Sequence, residues 1–274
     1  MNRFFAGRVA VITGAGSGIG RALAIRLAAE GARLTLLDLD GPAAEATAQL
    51  CEEADAQARA EPVDVTDHDS LVRCAATLAG EADHVDLLVC AAGMIHTGTV
   101  HASSWADTRR PIDVNLLGAM ATVHAFLPQV RASDAGHVVL FSSGFGLLAM
   151  PSWSAYSASK FGIRGFSEAL SQELRTGGNR VRVTCVYPGV VRTPIMRSGT
   201  FARGEDPTAR ANGFDRLART EPEQAAQVIL RRVRQGRARV LVGADARAAS
   251  LAERALGSAY QHLIPWAGRH ARGR

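Results

Sequence analysis

The chain has 274 residues, of which 47% are hydrophobic and 21% charged, and this balance is typical of a globular protein. No apolar run approaches the ~20 residues that a membrane-spanning helix needs, and the N-terminus lacks the pattern of a signal peptide. The formal net charge of +5 raises nucleic acid as a partner, but the basic residues are scattered, so we expect no nucleic-acid binding.

The cysteines give no sign of a metal site or a disulfide framework. Their spacings contain no CxxC pair, so neither zinc binding nor cross-linking is predicted, and we expect no metal. Buried free thiols in a reducing cytoplasm are the simpler interpretation, and we expect a cytoplasmic protein. The four residues are Cys51, Cys74, Cys90 and Cys185.

Short apolar runs alternate along the chain with longer helical patterns. Strands that are apolar throughout and separated by helices indicate a parallel sheet covered on both faces. The sequence therefore predicts one doubly wound α/β domain over residues 1–274, with seven strands. The expected strands are 8–13, 33–38, 60–65, 85–90, 137–142, 181–186 and 239–242. The expected helices are 18–30, 42–54, 67–80, 112–131, 155–175, 221–235 and 247–256.

Three segments fall outside this alternation. Residues 95–110 lack clear periodicity. Residues 193–220 also show little regular pattern and follow the sixth strand at its carboxyl end, where open α/β sheets bind ligands. We interpret 193–220 as a substrate lid, and the alternative is a surface excursion without a role. The basic tail 258–274 matches no motif; an active site, a partner subunit or anionic lipid are its possible contacts.

The first predicted strand leads directly into the glycine-rich turn TGAGSGIG, residues 13–20, and then into a helix. Glycines leave backbone amides uncovered, and the helix N-terminus favours negative charge. The turn therefore suits the pyrophosphate of a dinucleotide. Its candidate binding residues are Gly14, Ser17, Gly18, Ile19 and Gly20.

Asp38 ends the second predicted strand, where a carboxylate can accept both hydroxyls of an adenosine ribose and would repel a 2′-phosphate. Because no basic residue directly follows it, we predict NAD rather than NADP. An N-cap role is the alternative, but Asp40 is closer to the next helix. After the third strand, Asp64 is a candidate partner of the adenine amine and Val65 a candidate wall for its ring.

Ser143, Tyr156 and Lys160 form the candidate catalytic set. Tyr156 and Lys160 are four residues apart, on one helix face, and Ser143 ends the fifth strand. A lysine ammonium stabilises a phenolate and lowers its pKa, so Tyr156 can be the general acid/base for an alcohol and carbonyl pair. Ser143 would position the same substrate oxygen. Lys160 is the one lysine among 31 basic residues, and arginine cannot replace a compact, rotatable ammonium.

Together these motifs resemble the short-chain dehydrogenase/reductase superfamily, in its subgroup of ~250-residue enzymes. The turn TGAGSGIG is similar to the family's TGxxxGxG, and YSASK to its YxxxK signature, in a match that covers residues 7–242. The resemblance implies a Rossmann-type fold and an NAD(P)-dependent oxidoreductase. It also implies a homodimer or homotetramer whose interface includes the helix that carries Tyr156, with Phe161 and Phe166 as interface or core candidates.

The resemblance carries further site residues. Asn115 is implied to hold a water that relays protons to Lys160, which would also grip the nicotinamide ribose. In CAAG, residues 90–93, Ala92 and Gly93 keep the close backbone approach to the cofactor. Ala91 stands where the family has an asparagine whose side-chain amide joins neighbouring strands. Because alanine lacks this amide, we expect weaker local strand joining and fewer contacts on the adenosine side. The residues implied to hold the nicotinamide carboxamide are Pro188, Gly189, Val191 and Thr193.

The predicted substrate pocket is mostly apolar around Ser143 and Tyr156. The sequence thus predicts an NAD-dependent enzyme that interconverts a hydrophobic secondary alcohol and its ketone. One alternative is an NADPH-dependent ketone or 3-oxoacyl reductase, and a second is a non-catalytic nucleotide-binding protein. The remaining pocket candidates are Met94, Phe145, Trp153, Tyr187, Ile195 and Met196.

Overall fold

A computed structural model describes residues 4–263, so residues 264–274 of the predicted basic tail lie outside the described part. Seven parallel strands form one sheet in the order β3-β2-β1-β4-β6-β7-β9, which confirms the predicted architecture. The direction of the strand order reverses between β1 and β4, and this is where doubly wound sheets bind ligands. These strands are β1 (Val9–Thr13), β2 (Arg33–Asp38), β3 (Ala58–Pro62), β4 (Leu87–Cys90), β6 (His137–Phe141), β7 (Arg182–Pro188) and β9 (Arg239–Val242).

Helices cover both faces of the sheet. Successive strand side chains point to opposite faces, so Ala10 and Ile12 enter one apolar layer while Val9 and Val11 enter the other. Both layers are closed from water, which explains why the strands are apolar throughout. The helices are α1 (Gly18–Ala28), α2 (Gly41–Glu52), α3 (His68–Ala79), α4 (Trp105–Pro111), α5 (Gly118–Ala132), α6 (Ser154–Thr176), α7 (Pro207–Leu217), α8 (Pro222–Arg234) and α9 (Ala244–Leu256).

The two segments that lacked a clear pattern contain regular structure, which corrects the expectation of little secondary structure there, while the lid role of 193–220 stays a prediction. Residues 95–110 hold the two-residue strand β5 (His96–Thr97) and α4, while 193–220 hold β8 (Thr200–Phe201) and α7. Strands β5 and β8 pair in parallel as a separate small sheet. The buried imidazole of His96 contacts the Thr200 hydroxyl at 2.9 Å across this pair. The two segments therefore form one unit above the main sheet.

Most predicted elements differ from the observed ones by one to three residues at an end, and two of these differences need an explanation. The third strand was predicted to run to Val65 but ends at Pro62. The apolar Val63 and Val65 suggested a longer strand, but they are buried in the connection that follows it. The helix predicted at 112–131 opens with a π-helical turn, Ile112–Leu117, before α5. Such turns are frequent at functional sites, and this one contains Asn115.

Among the described residues, no helix is long and apolar enough to cross a membrane. Within residues 4–263, no cluster of three or more His, Cys, Asp or Glu side chains is arranged to hold a metal ion. All four cysteines are buried and free. Burial raises the pKa of the Cys90 thiol to about 12, so this sulfur stays protonated at neutral pH.

Candidate active site

A cleft of about 1410 Å³ opens at the carboxyl ends of the strands. It runs from the glycine-rich turn and Asp38 on one side of the sheet's reversal point to the unit formed by 95–110 and 193–220 on the other. Most of the candidate site residues line it, and the structure thus brings together motifs that are far apart in the sequence. The predicted residues on its walls are Gly14, Ser17, Gly18, Ile19, Gly20, Asp38, Asp64, Val65, Ala92, Gly93, Met94, Ser143, Phe145, Tyr156, Lys160, Pro188, Gly189, Val191, Thr193 and Ile195.

The glycine-rich turn is shaped to leave amides for a ligand. Gly14 and Gly18 have φ of +67° and +52°, values that favour glycine. A Cβ on Gly14 would lie 2.6 Å from the backbone nitrogen of Ala92. Within the described chain, the amides of residues 17–20 donate to no protein acceptor, as expected at a helix N-terminus. These residues fit a pyrophosphate, which would accept from those amides.

Asp38 is held at the edge of this turn. Its Oδ2 accepts from the Gly16 amide at 2.8 Å and its Oδ1 from the Asp40 amide at 3.0 Å. A Cβ on Gly16 would lie 2.9 Å from Oδ2. Asp40 caps α2 by accepting from the Ala43 amide, so the helix start does not need Asp38. The Asp38 carboxylate is therefore available to the cleft.

At the adenine end proposed from the sequence, Asp64 is exposed and its Oδ1 accepts from both the amide and the hydroxyl of Thr66. Val65 is buried, and its side chain would lie 2.6 Å from a Cβ on Gly118. Asp67 caps α3 by accepting from the Ser70 amide at 3.1 Å.

The segment 91–93 is joined to β1 despite its missing asparagine. The Ala91 amide donates to the carbonyl of Thr13 at 3.2 Å, and the Ala92 amide donates to the Thr13 hydroxyl at 3.3 Å. Thr13 therefore performs part of the strand joining that Ala91 cannot. A Cβ on Gly93 would lie 3.2 Å from Asn115 Oδ1 and 3.6 Å from Lys160 Nζ, which keeps this wall of the cleft close to the catalytic candidates.

Tyr156 and Lys160 lie buried on one face of α6, opposite Ser143. Lys160 Nζ donates to the carbonyl oxygen of Phe141 at 2.9 Å and lies 5.6 Å from the centroid of the Tyr156 ring. Burial lowers the pKa of Lys160 to about 8, because the interior disfavours the ammonium.

The sequence-based expectation that Lys160 lowers the pKa of Tyr156 is not met. Burial raises the pKa of Tyr156 to about 12, and the neighbouring Ser143 hydroxyl lowers it in part by hydrogen bonding. The ammonium is directed to the Phe141 carbonyl rather than to the phenolic oxygen. With a pKa of about 12, Tyr156 is a neutral phenol at neutral pH.

Asn115 sits one layer behind the cleft, fully buried in the π-helical turn. Its Oδ1 accepts from the Met94 amide at 2.8 Å, and its Nδ2 donates to the Met94 carbonyl at 3.0 Å and to Ser159 Oγ at 2.9 Å. Ser159 Oγ in turn donates to the carbonyl oxygen of Tyr156 at 2.7 Å. Asn115 thus joins the strand-end loop to the catalytic helix, and its water relay to Lys160 stays a prediction. Ser159 was missed because only the fold places it beside Asn115.

The walls around Tyr156 are apolar and aromatic. Phe145 stacks on Trp153 with centroids 4.8 Å apart, and both rings meet Tyr156 edge-on. Met196 is buried in the same cluster rather than on the surface of the cleft. Further members are Ile95, Ile195, Phe201, Ala211 and Phe214.

Tyr187 does not belong to this cluster, which corrects its assignment to the substrate pocket. It is 1% exposed and packs in the apolar layer beneath the sheet, where Arg239 lies 4.9 Å from its ring centroid. The alternation of side chains along β7 directs Tyr187 away from the cleft.

Comparison with known proteins agrees with this geometry. A family model described as short chain dehydrogenase matches residues 8–202. A relative from Mycobacterium tuberculosis, named "Putative oxidoreductase SadH", is 43% identical over 272 residues and covers 96% of this chain and 99% of that protein. Estradiol 17-beta-dehydrogenase 11 of Mus musculus is 34% identical over 194 residues, covering 70% of this chain and 65% of that protein.

Among solved structures, a short chain dehydrogenase/reductase from Burkholderia phymatum, in complex with NAD, superposes with a TM-score of 0.85 at 28% identity. The superposition covers 94% of this chain and 95% of that one. The chain therefore belongs to the short-chain dehydrogenase/reductase family. It is an NAD(P)-dependent oxidoreductase with a nicotinamide cofactor.

Proposed function

We propose that this enzyme uses NAD to interconvert a hydrophobic secondary alcohol and its ketone, with Tyr156 as the general acid/base. The observation that carries the proposal is the buried phenol of Tyr156 at the cleft, with the Ser143 hydroxyl as its neighbour and Lys160 one helical turn away. Proton transfer by a positioned side chain of this kind contributes roughly 10²- to 10⁴-fold to rate.

The cofactor would be held by the amides of residues 17–20 at its pyrophosphate, by Asp38 at its adenosine ribose and by the loop 188–193 at its nicotinamide. When bound, it supplies or accepts the hydride. The preference for NAD rests on Asp38, whose carboxylate would repel a 2′-phosphate. In the described chain, the cleft-lining arginines are Arg109 and Arg110, which lie on the wall formed by α4 rather than beside Asp38.

Tyr156 donates its proton to the carbonyl oxygen in reduction, and in oxidation its deprotonated form, the phenolate, takes the hydroxyl proton. Ser143 holds that oxygen within reach of the phenol. The buried ammonium of Lys160, with its pKa lowered to about 8, is the group that can return a proton to the phenol near neutral pH. Asn115 and Ser159 hold the helix and the strand-end loop in register.

The substrate class follows from the apolar cluster around Tyr156. The stacked rings of Phe145 and Trp153 beside the phenol leave few polar partners for a hydrophilic substrate, so a bulky hydrophobic carbonyl compound suits this wall best. Phe145, Ile195 and Phe214 present apolar surface to the cleft.

The test is a panel of secondary alcohols with NAD⁺ and of matching ketones with NADH and NADPH. We expect turnover of hydrophobic members with NAD and loss of turnover in Tyr156→Phe, with NADH binding retained. A native preference for NADPH would contradict the assignment of the cofactor. Tight NADH binding without turnover of any compound would contradict the proposed activity.

We also propose that the enzyme is a homo-oligomer. Large apolar side chains are exposed on the faces of α5 and α6: Met120 is 38% exposed and Phe161 37%. Leu117, at the end of the π-helical turn, is 50% exposed. Phe166, the second predicted interface candidate, packs instead against the core. Light scattering after gel filtration tests the proposal, and Phe161→Glu should give the monomer.

A further inference from the structure

The loop 188–193, which follows β7 at the nicotinamide end of the cleft, is fixed by three hydrogen bonds from its backbone amides. Gly189 donates to the Val242 carbonyl at 2.9 Å and Arg192 to the Thr220 carbonyl at 3.0 Å. The third bond is different, because the Val190 amide donates to a side chain, Asp245 Oδ2, at 2.6 Å. In the described residues, the remaining two amides, of Val191 and Thr193, have no protein acceptor.

Asp245 reaches this loop from the first turn of α9. An acidic side chain in a first helical turn commonly stabilises the helix that carries it. Here the helix has Gly243 at its N-cap and no side-chain cap, and the carboxylate is instead turned to an amide 55 residues earlier in the chain. The position of the Asp245 side chain is therefore set by the loop 188–193 as well as by its own helix.

The glycine at position 189 is a second sign of this contact. Gly189 does not have a left-handed backbone conformation, so backbone strain does not require glycine there. A Cβ built on Gly189 would overlap the atoms of the Asp245 carboxyl group. The absence of a side chain at 189 thus makes room for the carboxylate beside the loop.

We propose that Asp245 is a positioning residue for the nicotinamide end of the cofactor site. Its carboxylate holds the Val190 amide and orients the loop, in which Val191 and Thr193 line the cleft and keep their amides for a ligand. The proposal rests on the proposed placement of the nicotinamide at this loop. Asp245 lies beyond residues 8–202, the part matched by the family model, so that match assigns it no role.

The experiment measures binding of NADH and of ADP-ribose, which lacks the nicotinamide, by titration calorimetry. We expect Asp245→Ala to raise the Kd for NADH on the order of fivefold, from loss of one charge-assisted hydrogen bond, and to leave the Kd for ADP-ribose unchanged. Asp245→Asn keeps an acceptor for the Val190 amide and should restore NADH affinity to within about twofold of wild type.

Asn179→Ala is the matched control. Asn179 Oδ1 accepts from the Val181 amide at 2.8 Å, so this variant also removes one hydrogen bond from a side chain to a backbone amide. This bond, however, precedes β7, at the end of the strand opposite to the cleft. We expect both affinities to stay at the wild-type values. A general loss of stability would instead weaken NADH and ADP-ribose binding together in either variant.

Gly189→Ala completes the test, and it keeps the proposal falsifiable if Asp245→Ala does not fold. The added methyl displaces the carboxylate, so it should weaken NADH binding in the wild-type background and do so less in Asp245→Ala, because contacting residues are coupled. Unchanged NADH affinity in Asp245→Ala, or equal loss for both ligands, would overturn the proposal. Intact NADH binding without turnover by the wild type would overturn only the proposed activity.

Discussion

Two buried serines near the start of α6 allow one sharp stability prediction. Ser159 and Ser157 are 0% and 3% exposed and lie two residues apart on α6. Ser159 Oγ accepts from Asn115 and donates to the Tyr156 carbonyl. The buried Ser157 Oγ has no hydrogen-bond partner in the described structure. Alanine at each position removes the same hydroxyl from two different environments.

Ser159→Ala removes two hydrogen bonds and leaves one buried Asn115 proton unsatisfied, at a cost of about 2–3 kcal/mol. The better helix propensity of alanine returns about 0.5 kcal/mol, so a net loss of about 2 kcal/mol remains. Ser157→Ala gains the same propensity and loses no bond, so its unfolding free energy should equal or slightly exceed that of wild type. For a chain of 274 residues, the loss in Ser159→Ala lowers Tm by about 3–4 °C.

The assay is urea unfolding of both variants and wild type at one protein concentration, followed by circular dichroism. Holding the concentration fixed matters because oligomer formation would add to apparent stability. Equal unfolding midpoints for Ser157→Ala and Ser159→Ala would refute the reasoning, since burial and helix position are matched. Such a result would mean that the bond from Asn115 to Ser159 contributes nothing net.

Three further outcomes follow from the site and the core. Tyr156→Phe should lower kcat by roughly 10²- to 10⁴-fold with an unchanged Kd for NADH, and a smaller effect would exclude Tyr156 as the proton donor. Asp38→Asn keeps an acceptor for the Gly16 amide but removes the charge, so the ratio of NADPH to NADH affinity should rise on the order of tenfold; an unchanged ratio would show that Asp38 does not select the cofactor. Burial, followed by the charges of Arg182 and Arg8, lowers the pKa of His137 from 6.5 to about 4. Below pH 6.5 the unfolded chain takes up a proton at this histidine that the folded chain does not, so the free energy of unfolding falls as the pH drops from 6.5 towards 4. His137→Gln should show a smaller fall in the free energy of unfolding across that range. An equal fall would contradict the lowered pKa of His137.

The sheet could be predicted because its strands are buried on both faces. Every residue of β1 and of β6 is buried, which leaves a continuous apolar run in the sequence. The edge strand β3 is only partly buried, and there the pattern pointed two or three residues too far along the chain. Apolar residues indicate burial rather than strand pairing, and the chain stays buried beyond the last residue that pairs with β2.

The smaller elements could not be predicted, because their stability comes from distant partners. Strand β5 has two residues and pairs with β8 about a hundred positions later, so neither carries a period of its own. Helix α4 has seven residues, too few for a recognisable apolar stripe. The buried His96 joins the two segments, and its partners are visible only in the folded chain.

In the candidate site, sequence motifs located the groups proposed to contact the ligand but not the residues that position those groups. The glycine-rich turn, Asp38 and the pair Tyr156 and Lys160 have fixed spacing in sequence. Tyr187 was misplaced because position at a strand end does not tell which face a side chain takes. Ser159 and Asp245 act through partners 44 and 55 residues away, a distance that no local pattern records.

The division of the cleft between two parts of the chain has a consequence for specificity. The residues that match the family model, 8–202, contain the glycine-rich turn, Asp38, Ser143, Tyr156 and Lys160. The helix α7 and the carboxylate of Asp245 lie beyond them, yet Ala211 and Phe214 of α7 pack in the apolar cluster around Tyr156. The groups proposed for proton transfer therefore lie within the matched part, whereas the apolar wall around Tyr156 is shared between that part, through Phe145 and Ile195, and α7 beyond it. The proposed fit of the substrate thus depends on side chains from both parts of the chain.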